Sequence, residues 1–393
     1  MPKRPSDHLK RPIPLYNHPG QDLRLIQYIQ EIPDERGCYC NFKHPLISIV
    51  FIALVSALCG ANNWQEVVVV GQNLRDWISR FVILPHGIPS EDTFERVFAM
   101  IRVDAFNQFL TKLMSIFRDT VGGDIISFDG KSLRGTAEKG IGTKALHILN
   151  AWSGNYGLSL GQLAVDEKSN EITAMPFLME MLDLKGCIIT ADALNTQKDI
   201  AAKAIELGAD YVLPVKDNHP TLKEDIELLF LDAINKEFKG IDADQHETIE
   251  KNGGRIEQRK YYVIDAEELP GKEQWAGIRS LGMVIRERVL GNKRSKEIAY
   301  YILSLEIDAK LFEKCSRGHW GIENALHWRL DVILREDQSR YRDKIGAQNL
   351  AVLRKIVLSA LSQEKSTKRS IASKRLAAAT DPQYREMVLK YLF

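Results

Sequence analysis

Two carboxylates stand where apolar segments stop. In IISFDGKSLRG, residues 125–135, the apolar Ile125, Ile126 and Phe128 deliver Asp129 onto Gly130 and then Lys131. Apolar run, acid, then glycine predicts a buried strand that ends at a chain reversal. The same order returns in CIITADALNTQKD, where Cys187 to Ile189 lead to Asp192 and a helix is expected to follow. An acid at a strand end packs poorly but is well placed to hold a cation at the edge of a sheet. Two of them are the beginning of a metal site for phosphodiester chemistry. Each also has a plainer reading: Asp129 as a turn residue, Asp192 as the cap of the helix after it.

A third acid lies in HWGIENALHWRLDVILRED, residues 319–337, a strongly helical stretch. His319, Glu323 and His327 are spaced i, i+4, i+8 and are expected to share one stripe, flanked by Trp320, Leu326 and Leu330. The plain reading pairs Glu323 with Arg329 or a histidine on its own helix. Asp331, Glu336 and Asp337 compete as the third acid, Asp331 lying about two turns along the same face. The His–Glu–His stripe also admits a zinc hydrolase. That reading lacks the adjacent glutamate of H-E-x-x-H and leaves both aspartates unexplained. Zinc occupancy, with activity lost on His327→Ala and kept on Asp129→Ala, would favour it.

The elements that must position these acids follow from the periodicity. Residues 1–120 read as helical, with helices at Leu23–Ile32, from about 45, over Trp64–Phe81 and after Pro89, where Ser90 is the expected N-cap. The helix near 91–101 could belong to a DNA-reading pair; the simpler expectation is that it packs Phe94, Val97 and Phe98 inward. Strands are predicted at 124–128, 145–152 and 157–165. A helix at 172–183, a strand at 187–191, a helix at 196–207 ending at Gly208, and a strand at Tyr211–Val215 follow. The crossover at 187–215 makes its two strands parallel. A meander of three strands followed by two crossover strands is the order of a ribonuclease H-like α/β sheet, which sets the first and fourth strands side by side. A charged helix at 223–238 and alternating segments then predict a mostly β insertion over 219–308. Residues 346–393 read as helices around a basic, serine-rich stretch.

A chain of 393 residues has room for two or three domains. Its net charge is only +1, so any hold on nucleic acid must rest on local clusters. Such clusters are Arg286, Arg288, Lys293, Arg294 and Lys296; Arg335, Arg340, Arg342 and Lys344; and Lys365, Lys368, Arg369, Lys374 and Arg375. Five cysteines without a secretory signal point to a reducing compartment. Cys38, Cys40 and His44 lack the second ligand pair of a structural zinc site. The apolar stretch Pro45–Cys59 falls short of the roughly 20 residues a bilayer requires, so a buried helix and no membrane contact are expected.

In their order, SFDGKSLRG, DEKSNEI at 166–172, TADALNTQKDIA, LPVKDNH, GGRIEQR at 253–259 and HWGIENALHWRLDVILRED resemble the DDE transposases of bacterial insertion sequences, in their H-repeat-associated (ISAs-type) branch. The resemblance runs from about residue 20 onward. It implies a ribonuclease H-like (retroviral integrase-like) catalytic core over 121–345 with the β insertion inside it, an N-terminal helical region at 1–120 that could bind DNA, and a C-terminal helical basic region at 346–393. It implies a triad of Asp129, Asp192 and Glu323 holding two Mg²⁺ or Mn²⁺ ions, with Asp129 bridging both. Hard oxygen ligands suit those cations. The partners implied are double-stranded DNA (terminal inverted repeats and target) and a second copy of the chain on that DNA, in the cytoplasm at the nucleoid. Lys131, Lys168, Lys216 and Asn218 are expected on strand-end loops near phosphate, and Arg255 and Arg259 on the insertion. Related Y-R-E-K transposases carry an arginine four residues before the glutamate and a lysine seven after; here His319 and Leu330 stand there. His319, with Arg317 or Arg329, would then supply those phosphate contacts. A DNA-binding relic that keeps the fold without using the triad is the other reading, separable by whether inverted repeats flank the gene.

Overall fold

The computed structural model describes residue 19 and residues 24–36, 43–116, 123–138, 140, 142–165 and 170–390. Cys38, Cys40 and Lys168 lie outside the described residues, as does the whole of DEKS, residues 166–169. The chain divides into two compact units, one drawn from Met1–Ile116, Arg134–Ala145 and Leu330–Phe393, the other from Phe117–Leu133 and Leu146–Arg329.

The first unit begins with α1 (Arg24–Gln30), α2 (Leu46–Leu58), α3 (Trp64–Asn73), α4 (Arg75–Ile78), α5 (Glu91–Met100) and α6 (Val103–Ser115). Helix α2 is buried from Ser48 through Leu58, which is why its sequence is apolar on every side. Among the described residues no helix is long and apolar enough to cross a membrane. Helix α5 turns Phe94, Val97 and Phe98 inward. Ser90 occupies its N-cap without capping a backbone N–H; its hydroxyl lies 3.0 Å from that of Thr93 instead.

The second unit contains β1 (Ile125–Leu133), β2 (Leu146–Ser153), β3 (Leu158–Val165), α7 (Glu171–Glu180), β4 (Ile188–Ala191), α8 (Lys198–Glu206), β5 (Asp210–Val215) and α9 (Pro220–Asn235). Gly208, at φ +70°, ends α8 in the left-handed conformation its missing side chain permits. Four long strands follow: β6 (Ala243–Asn252), β7 (Arg255–Asp265), β8 (Ser280–Leu290) and β9 (Lys293–Leu303). Then α10 (Ala309–Gly321) continues without a break into a π-helical segment, Ile322–His327, and α11 (Trp328–Val332).

Among the described residues nine strands form one mixed sheet in the order β3-β2-β1-β4-β5-β9-β8-β7-β6. Strand β1 pairs in parallel with β4, and β4 with β5, so the first and fourth strands are neighbours, as the crossover rule requires. The predicted β insertion is not a body carried away from the core strands. Strand β9 pairs antiparallel with β5, and the near halves of the added strands share a core with the first five: Tyr261, Val263, Val284 and Tyr301 pack with Ile125, Ile188 and Val212 under Phe312 and Cys315 of α10. Edge strand β6 escaped the sequence pattern because its residues, ADQHETIEKN, are nearly all polar and half-exposed or exposed.

The chain returns to the first unit with α12 (Lys344–Gln363), α13 (Ile371–Thr380) and α14 (Pro382–Lys390). Helix α12 is buried along most of its length, and its Asn349 amide donates to the carbonyls of Phe98 and Ile101, at 2.8 Å each. The predicted basic patch here is partly interior. Lys374 donates to Leu361 O at 3.0 Å and pairs with the Glu364 carboxylate at 3.1 Å. Arg375 donates to Ala57 O at 2.8 Å and to Ile333 O at 2.7 Å. Both charges are spent on closing the ends of packed helices.

Candidate active site

The site is built on the parallel register of β1 and β4. Ile125–Phe128 pairs residue by residue with Ile188–Ala191. Asp129 and Asp192 are the next residue on each strand, and neighbouring strands lie about 4.8 Å apart. The predicted chain reversal at Gly130 does not occur: β1 runs on to Leu133, with Asp129 opposite Asn150 of β2. Gly130 is needed for close packing, because a Cβ there would overlap Glu171 Oε1 and His147 Nε2.

Burial pushes the Asp129 carboxyl up to about 7, and the charges of Glu171, Asp192 and Glu323 push in the same direction. His327 Nδ1 stands 3.4 Å from Asp129 Oδ2, and the Asn150 amide lies 3.3 Å from His327 Nε2. An amide donating to Nε2 leaves the ring proton on Nδ1, facing Asp129. Asp192 is raised as well, chiefly by burial. Its Oδ1 accepts from the Asn195 backbone at 3.0 Å and from the Asn195 amide at 2.8 Å. Asp192 thus caps the short 3₁₀ turn Ala193–Asn195 and not the helix expected at 196–207, whose N-cap is Gln197.

Glu171, in the first turn of α7, enters the same cluster. Its Oε1 lies 2.7 Å from His147 Nε2 and its Oε2 accepts from the Asn195 amide at 3.1 Å. Burial works to raise Glu171, but the hydrogen bonds from His147 and Asn195 prevail and hold it below the usual carboxylate range. His147 Nδ1 is in turn 3.0 Å from Ser132 Oγ, its cross-strand partner. Sequence reasoning passed over Glu171, His147, Asn195 and Asn150. The one signal for them was DEKSNEI, in which Glu171 follows the helix cap Asn170.

Glu323 lies exposed in the π segment. Both flanking histidines face the strands: His319 Nδ1 lies 3.5 Å from Thr190 Oγ1 and His327 Nδ1 lies 3.4 Å from Asp129 Oδ2. Of the competing acids, Glu336 is buried in the first unit, where its charge and that of Asp331 act on Arg354, and Asp337 pairs there with Arg134 at 3.5 Å. Helix α10 is seated by Ser127 Oγ donating to Gly318 O at 3.4 Å and by Thr190 Oγ1, 3.5 Å from His319 Nδ1. Burial, aided by Lys216, lowers His319 to about 4. At neutral pH it is therefore a neutral imidazole.

Lys131 is not on a loop: it lies within β1 and is buried. Lys216 and Asn218 do stand exposed on the loop after β5, where the Asn218 amide donates to Ala193 O at 2.7 Å. Arg329 is half-buried just past the π segment. Arg255, Arg259, Arg286 and Arg288, on one face of β7 and β8, line a groove of about 750 Å³ together with Arg317, Trp320 and Glu323. Arg259 and Arg286 stand directly opposite each other, a repulsive placement. Glutamates offset it: Arg259 lies 2.7 Å from Glu257 and 3.1 Å from Glu250, and Arg255 lies 2.8 Å from Glu257.

Among the described residues, no three His, Cys, Asp or Glu side chains stand close enough as placed to hold a metal ion. The donor set nevertheless suits a hard divalent cation: all are carboxylate oxygens, and their mutual repulsion at Asp129 is the kind that a cation relieves.

A mixed sheet bearing one aspartate within a strand, a second just past the end of its parallel neighbour and an acid on the following helical segment defines a carboxylate-site α/β protein. Residues 121–360 match the family described as Transposase DDE domain, and residues 26–114 match the family described as DDE_Tnp_1-associated. The chain belongs to the DDE transposase family. It is 37% identical over 370 residues to the "Putative transposase YncI" of Escherichia coli O157:H7, covering 93% of this chain and 94% of that one. It is 34% identical over 372 residues to the "H repeat-associated putative transposase YhhI" of Escherichia coli K12, covering 93% and 97%. A piggyBac transposase synaptic complex with hairpin DNA, solved by cryo-EM, aligns over 93% of this chain and 79% of that one, with 12% identity and a TM-score of 0.43, too slight a likeness to define the fold.

Proposed function

We propose that this transposase cuts DNA at the ends of its element and joins those ends to target DNA on a ribonuclease H-like core, using Asp129, Asp192 and Glu323. The observation that carries the reading is Asp129 and Asp192 side by side past the parallel pairing, with Asp129 under the charge of Glu323. These three would hold two Mg²⁺ or Mn²⁺ ions, which when bound supply activation of the attacking oxygen and stabilisation of the leaving one. His327 steadies Asp129, and Asn195 fixes the carboxylate of Asp192. Neutral His319 seats the helix that delivers Glu323. Lys216, Asn218 and the arginines of the groove contact the DNA backbone, and the N-terminal helices read the element's ends. Two copies act together on DNA in the cytoplasm, at the nucleoid.

The test uses purified protein and DNA carrying the element's own ends. Cleavage should require Mg²⁺ or Mn²⁺. Asp129→Asn, Asp192→Asn and Glu323→Gln should each remove it while end binding persists. Cleavage that is indifferent to a chelator, or that survives Glu323→Gln and is lost in Asp331→Asn, would overturn the assignment.

A further inference from the structure

Glu171 is the acid at the candidate site that the triad leaves out. It sits against Gly130, beside Asp129, where an added Cβ would fall 2.1 Å from its Oε1 and displace it. One amide, Asn195 Nδ2, donates both to Glu171 Oε2 and to Asp192 Oδ1, at 3.1 and 2.8 Å, so the two carboxylates are bracketed by a single donor. Asn195 is fully buried, and its Oδ1 has no hydrogen-bond partner. His147 orients the other oxygen of Glu171 and is itself held by Ser132. A carboxylate fixed by hydrogen bonds on both oxygens, each with a lone pair to spare, is how metal ligands are oriented.

We infer that Glu171 is a fourth carboxylate of the divalent-cation site, oriented by His147 and Asn195 toward the ions that Asp129 and Asp192 would hold. This rests on the metal reading above. A local ion pair with His147 alone would not require the shared Asn195 amide or the glycine beside Asp129.

Mn²⁺ binding by the full chain, followed by electron paramagnetic resonance in the absence of DNA, tests the inference without relying on activity. Glu171→Gln is the informative variant. Its carboxamide keeps the acceptor for His147, and Asn195 can keep its amide on Asp192 Oδ1, so the change removes one charge and one hydrogen bond while Asp192 stays held. Glu171→Gln should weaken Mn²⁺ binding by roughly 10- to 100-fold, whereas Glu180→Gln, exposed on the same helix, should leave it unchanged. Thermal melting of each variant without metal confirms folding. Unchanged Mn²⁺ affinity in Glu171→Gln, alongside loss in Asp129→Asn and Asp192→Asn, overturns the fourth ligand and leaves the triad standing. Mn²⁺ binding that none of these substitutions affects overturns the metal reading and this inference together.

Discussion

Asp129 and Glu364 are both acids withdrawn from water, and burial works against the charge of each. In the first unit Glu364 meets Lys374 at 3.1 Å, Tyr384 OH at 2.9 Å, the Thr367 backbone and hydroxyl at 3.2 Å each, and the Ser366 hydroxyl. Those partners outweigh burial and hold it down at about 2. Asp129 meets three further carboxylates and rises to about 7. One carboxylate is satisfied within its own unit, and it holds helices together. The other is left in excess of negative charge, and that excess makes it useful to a cation. Buried charge serves structure when its partners are within the fold and chemistry when they are not.

The largest effect expected from this contrast is on activity. Asp129→Asn should lower DNA cleavage by roughly a thousand-fold or more. The same substitution should raise the melting temperature by a few degrees in metal-free buffer, because it removes a repelled charge. A fall in melting temperature would mean that the site is not electrostatically frustrated. Lys374→Met should do the opposite, destabilising the first unit by about 3–5 kcal/mol through an unpaired buried carboxylate. Urea unfolding measures that, and Mn²⁺ affinity should stay unchanged.

The pH dependence sharpens the same contrast. Glu364 is depressed in the folded state relative to an ordinary glutamate near 4.3. Its contribution is therefore complete above about 4.3 and lost as pH falls toward about 2. Glu364→Gln should flatten the acid side of the stability curve of the first unit; an unchanged acid limb would remove Glu364 as its cause. The smallest effect belongs to the groove. Arg255→Ala should weaken DNA binding several-fold and reduce the salt dependence by about one counterion. An unaltered slope would show that Glu257 keeps this arginine from phosphate.

The sequence by itself determined the core strands β1 to β5, the helices between them and the order of the acids, but not edge strand β6. Apolar runs placed β1 and β4, and the crossover rule made them neighbours, so the adjacency of Asp129 and Asp192 was legible before any coordinates. Glu323 was legible as a carboxylate on a helix. The tertiary structure decided what those acids meet. That Gly130 lies against Glu171 and is not a reversal, that His327 stands at Asp129, and that β9 joins β5 all depend on residues far apart in the chain. The interior placement of Lys374 and Arg375 follows the same rule, since a lysine or arginine in a basic run looks identical whether its partner is water or a buried carbonyl. Periodicity reports which face of an element is apolar. It carries no information about which distant donor or acceptor will stand opposite a polar side chain, and that opposition sets each charge in this protein.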